Sequence, residues 1–80
     1  MSGLIKRSFS LAGHRTSVAL EQEFWDALTR MAQARGVSLS ALVARADAAR
    51  GADRPLASAL RVLALTGERT PSRGDVGPSE

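Results

Sequence analysis

The chain has 80 residues, a formal charge of +3, no cysteine and one histidine. A chain this short holds one small domain with little buried surface, and its composition excludes disulfide staples, thiolate metal centres and any metal site resting on His14 alone. No apolar run reaches the length of a membrane span, and the N-terminus lacks the apolar core of a signal peptide. A soluble, cytoplasmic protein with no cofactor is therefore expected.

Charge is unevenly placed. Lys6, Arg7, His14 and Arg15 all precede the first acid, Glu21. An acid-free basic start suits a polyanion partner, although it also describes an ordinary solvated tail. Within it, Ile5 to Leu11 alternates: Ile5, Arg7, Phe9 and Leu11 take one side, and Lys6, Ser8 and Ser10 the other. Ala12-Gly13-His14 follows, with Gly13 free to adopt a positive φ. His14 to Leu20 alternates again, with Thr16, Val18 and Leu20 opposite Arg15, Ser17 and Ala19. Two such runs around a short Gly loop predict a β-hairpin; the first run could equally be a flexible arm. The second cannot stand alone, because one strand leaves its backbone groups unpaired in water.

Glu21 to Arg35 reads as a helix. Phe24, Leu28 and Met31 form one stripe, and Trp25, Leu28 and Ala32 an overlapping one. Glu21, Glu23 and Asp26 suit the positive end of its dipole, and Arg30 and Arg35 the negative end. Gly36 predicts a left-handed stop. Ser38 then caps a second helix running to about Arg50, with Leu39, Leu42, Val43 and Ala46 apolar and Gly51 as its stop. After a loop over residues 51–55, in which Asp53 and Pro55 suit a helix start, Leu56 to Thr66 predicts a third helix. Leu56, Leu60 and Leu63 form its stripe, and Ala59, Val62 and Leu65 widen it. A helix apolar on most sides points to burial against a second subunit. Gly67 should end it, giving a domain over residues 1–67 and a disordered tail over 68–80, poor in apolar residues.

Catalysis finds little support. Ser8, Ser10 and Ser17 with His14 lack a cleft to work in, and no Gly-rich phosphate loop follows a strand. Nucleic-acid binding fits better, since a two-stranded ribbon can enter the DNA major groove. If two copies of Arg15 to Leu20 pair about a two-fold axis, each contributes three outward side chains. Arg15 could bond guanine O6 and N7, Ser17 could bond several bases, and Ala19 could touch a thymine methyl. Lys6, Arg7 and His14 would meet phosphate, as would Ser38 with the free N–H groups of Leu39 and Ser40.

The order strand, helix, Gly-x-Ser turn, helix resembles the ribbon-helix-helix family. More closely, the chain resembles the small bacterial ribbon-helix-helix domain proteins found largely in alphaproteobacteria. Lys6-Arg7-Ser8, Ala12-Gly13-His14-Arg15-Thr16-Ser17, Phe24-Trp25 and Ser58-Ala59-Leu60-Arg61 carry the likeness, which spans Ile5 to Leu65. It implies a mainly α fold with a short β-ribbon, in an intertwined homodimer with interlocked helices. The ribbon would read double-stranded DNA through Arg15, Ser17 and Ala19, and Ser38, Leu39 and Ser40 would clamp phosphate. Val18, Leu20, Phe24, Trp25, Leu28, Leu42, Leu60 and Leu63 would form the shared dimer core.

Ala19 departs from the pattern, standing where many members carry a polar reader. So does the run from Ile5 to Leu11, which beside an intermolecular ribbon would make a four-stranded sheet, too wide for a groove of ~12 Å. The break at residues 51–55 adds a third helix. The expected function is a DNA-binding transcriptional regulator without enzymatic activity. The alternatives are a dimeric protein-interaction or scaffold module of the same fold, and an antitoxin-type repressor with a protein partner.

Overall fold

The structure, a computed structural model, describes residues 3–69. Two strands, β1 (Ile5–Leu11) and β2 (His14–Leu20), precede three helices, α1 (Gln22–Arg35), α2 (Leu39–Ala49) and α3 (Leu56–Arg69). The strands form an antiparallel two-stranded sheet with Ser8 opposite Ser17. Ala12 and Gly13 join them at φ values of 50° and 83°. Positive φ at both positions marks the tight hairpin turn whose twist matches that of the strands it joins. Ile5 to Leu11 is thus a strand and not an arm, and the partner that β2 requires is β1 of the same chain.

Trp25 explains why β1 stays in place. Its ring is fully buried, and its Nε1–H donates to the Ile5 carbonyl at 2.8 Å. The Phe9 ring centroid lies 5.9 Å from that of Trp25. The Arg7 guanidinium lies over the Trp25 ring, 5.2 Å from its centroid. Ile5, Arg7 and Phe9 share one face of β1 by alternation, so a single indole holds three successive positions of that face.

The core lies between the inner face of the hairpin and the three helices. Phe9, Leu11, Val18 and Leu20 enter it from the strands; Trp25, Leu28, Leu42, Val43 and Leu60 enter from the helices. α3 packs against α1, α2 and β2, and α2 reaches β1. Val18, Leu20, Trp25, Leu28, Leu42 and Leu60, expected in a shared dimer core, are buried within the single chain. Phe24 and Leu63 are half-buried against the same core. On α3, Leu56, Leu60 and Ala64 are buried while Val62 and Leu65 stay exposed.

Helix ends follow local chemistry, with two corrections. Gly36 ends α1 in the left-handed conformation, at φ 69°. α2 instead ends at Arg50 in an extended conformation, its N–H still donating to Ala46, so Gly51 is not its left-handed stop. The Arg50 side chain holds that exit: Nε bonds Asp47 at 2.9 Å and an Nη bonds the Arg54 carbonyl at 2.8 Å. Nor does Gly67 end α3, which runs on to Arg69. A Cβ at Gly67 would overlap the Met31 Cε methyl, so this glycine lets α3 approach α1 closely. Beyond Arg69, the expected disordered tail lies outside the described residues.

Candidate nucleic-acid interface

Directly opposed residues of an antiparallel pair point to the same face. The register places Lys6 with Ala19, Ser8 with Ser17, and Ser10 with Arg15 on the face away from the helices. These six side chains carry two cations, three hydroxyls, one methyl and no carboxylate. All are exposed except Ala19, which is half-exposed. The Ser8 and Ser17 hydroxyls bond each other at 3.0 Å across the strands. A two-residue loop makes the closing pair, Leu11 and His14, a hydrogen-bonded one. Ser8 and Ser17 then fall in a closer, non-hydrogen-bonded pair, which is why their short side chains meet.

Strands in a sheet lie ~4.8 Å apart, so a single hairpin with its side chains fits a major groove ~12 Å wide. Lys6 and Arg15 stand at opposite ends of the face, about 13 Å apart at ~3.3 Å per residue. Of the residues assigned to DNA, the structure therefore brings Lys6, Arg15, Ser17 and Ala19 together. It separates Arg7, whose strand position turns it toward the helices and onto Trp25. His14 is exposed beside the turn, on the helix-facing side by alternation. Ser8 and Ser10 complete the face. Sequence reasoning left them out because it took the second strand of the ribbon from another subunit; the alternation of Lys6, Ser8 and Ser10 already carried the signal.

The start of α2 forms a separate element. Ser38 Oγ accepts from the Ala41 N–H at 3.0 Å. Its carbonyl accepts from the Leu42 N–H, also at 3.0 Å. The Leu39 and Ser40 N–H groups precede the first intrahelical bond and so have no acceptor within the helix. Ser38 and Ser40 are exposed, while the Leu39 side chain packs against the core. Leu39 can thus offer only its backbone.

Glu21 sets the joint between ribbon and helices. Its carbonyl accepts from the N–H groups of Phe24 and Trp25, and its carboxylate receives Arg61 of α3 through Nε at 3.2 Å and Nη2 at 3.1 Å. Arg61 also lies over the Phe24 ring, 5.7 Å from its centroid. The Glu21 backbone N–H is the largest cause holding the Glu21 carboxyl below its ordinary range; burial opposes it, and the Arg61 guanidinium adds to the lowering. The junction from β2 to α1 is therefore tied to α3 by a charge pair that sequence spacing alone could not reveal.

Among the described residues no cluster of three or more histidines or carboxylates could hold a metal ion, and no helix is long and apolar enough to cross a membrane. The sequence profile of the ribbon-helix-helix domain family matches residues 4–67, most of the chain. No curated protein and no solved structure matches it.

Proposed function

Because the chain belongs to the ribbon-helix-helix domain family, whose members are generally DNA-binding regulators without enzymatic activity, we propose that it regulates transcription by reading DNA with its own β1–β2 hairpin. The outward face of the hairpin enters the major groove. Arg15 takes a guanine edge, Ser10, Ser17 and Ala19 contact neighbouring bases, and Lys6 meets the phosphate at the far end of the face. His14 at the ribbon tip and the α2 start, through Ser38 and the Leu39 and Ser40 N–H groups, add backbone contacts. One observation carries this reading: a two-stranded, carboxylate-free face with a cation at each end, built within one chain.

A second reading rests on the open outer edge of β2, which no strand among the described residues covers. Two chains pairing along it would make a homodimer with a four-stranded sheet ~19 Å across at ~4.8 Å per strand, too wide for the groove. Such a dimer would serve as a protein-interaction module.

Fluorescence anisotropy with duplex DNA across a salt series, with masses from light scattering, separates the two. The hairpin reader binds in a salt-dependent way, and Arg15→Ala costs about 1–3 kcal/mol and relaxes base preference. Lys6→Ala weakens all sequences alike and flattens the salt slope by about one. A folded, edge-paired dimer that ignores DNA at low salt would reject the first reading in favour of the second.

A further inference from the structure

On the side of the molecule formed by α2 and α3 lies an open groove of about 380 Å³. Its walls are Leu42 and Ala46 from α2 and Ala59, Val62 and Leu63 from α3, and Arg35, Arg45, Arg50 and Arg54 stand around it. None of these residues belongs to the outward face of the hairpin. From this groove we infer a docking site for an acidic amphipathic helix of a partner protein, a binding function independent of the DNA reading.

Shape supports a helix. The α2 wall runs from Leu42 to Ala49 and the α3 wall from Ala59 to Thr66. At 1.5 Å per residue each wall is about 10 Å long, the span covered by anchors at i, i+4 and i+7 of a helix lying in the groove. The groove lies between two helices and is open to solvent. Val62, on its wall, is 43% exposed, a large apolar side chain that the chain leaves uncovered.

Charge supports an acidic partner. Asp47 engages Arg50 at 2.9 Å. Arg35, Arg45 and Arg54 have no ion-pair partner among the described residues, so three full positive charges border an apolar floor. That arrangement complements a helix with leucine-like anchors on one face and carboxylates flanking them. It also disfavours a second copy of this chain on the same face. A two-fold interface sets each patch against itself, and would bring the arginines of both copies together. The carboxylates at the start of α1 offer no relief within the chain, because Asp26 precedes Arg35 by nine residues, about 13 Å along the helix axis.

The test uses the full chain and two fluorescein-labelled peptides. One is a 15-residue amphipathic helix with leucines at i, i+4 and i+7 and glutamates flanking them; the other replaces the glutamates by lysines. The acidic peptide should bind at least tenfold more tightly by anisotropy and shift amide resonances confined to α2, α3 and the end of α1. The double variant Arg45→Glu, Arg54→Glu should reverse the preference while its circular dichroism and DNA affinity stay as in the parent. Val62→Glu, at an exposed position, should abolish binding of the acidic peptide. Equal binding of the two peptides, no binding of either, or shifts mapping to the hairpin would overturn the inference. So would a parent that self-associates through the groove, seen as a change of mass in the double variant.

Discussion

Trp25→Phe tests how the hairpin is held. The substitution deletes the indole N–H that bonds the Ile5 carbonyl at 2.8 Å, and an intramolecular hydrogen bond of this kind contributes about 1 kcal/mol. It also removes three ring atoms from a fully buried site, at roughly 2 kcal/mol for lost burial and incomplete collapse. A phenyl ring under Arg7 keeps part of the cation–π attraction, itself only ~0.5–1 kcal/mol at an exposed site. The expected loss is about 3 kcal/mol, a large share of the ~4–12 kcal/mol that a chain of this length can have. Urea titration followed by far-UV circular dichroism measures it, since Trp25 is the only tryptophan. Hydrogen exchange adds a local signature: the amides of Lys6 to Phe9 should lose protection before those of α1 and α3. DNA affinity should fall as well, because Lys6 and Ser8 reach the outward face only while β1 is paired. A variant within about 0.5 kcal/mol of the parent, the ordinary range of a surface substitution, with β1 amides still protected, would refute the anchoring role of Trp25.

Gly67→Ala should destabilise the chain by about 1 kcal/mol, since the new methyl must displace Met31 Cε and overpacking outweighs the ~1 kcal/mol gain in helix propensity. In a Met31→Ala background the same change should stabilise, a reversal of sign that a double-mutant cycle reads directly. Ala12→Asn should raise the stability by about 0.5–1 kcal/mol, because Ala12 holds a φ of 50° that asparagine tolerates better; thermal unfolding would register it, and no gain would contradict the turn geometry. Glu21 makes stability depend on pH. Its carboxyl titrates below its ordinary range when folded, so its contribution is complete above the unfolded carboxylate pKa and is lost as pH falls through the lowered folded value. Arg61→Ala should flatten only part of that acid limb, because the backbone N–H of Glu21 is the larger cause; an unchanged urea midpoint profile would show that the pair contributes nothing.

Most elements were legible because their signals are local. Alternation marks both strands, the 3.6-residue stripe marks α1, and Ser38 marks the start of α2 through a bond only three residues long. What sequence could not supply depends on contacts far apart in the chain. Gly67 has the composition of a stop, and only the proximity of Met31, 36 residues earlier, turns it into a point of close helix approach. Arg61 shows no sign in its own helix that it will reach Glu21. The pairing of β2 is the most consequential case. Periodicity states that a strand has two faces, but both faces look the same whether the neighbour comes from this chain or from another. Trp25 decides the matter by binding Ile5, Arg7 and Phe9 together, and the indole shows this preference only once α1 is folded beneath the sheet. With β1 in place, the chain itself supplies both strands of a ribbon and encloses the apolar residues that a shared core would have used. The outward face then holds six side chains from one molecule, as many as two copies of β2 would have offered. The side chains themselves differ, since Lys6, Ser8 and Ser10 stand where a symmetric ribbon would repeat Arg15, Ser17 and Ala19. A site read by this face should therefore lack the two-fold symmetry that a ribbon of two identical strands imposes on its target.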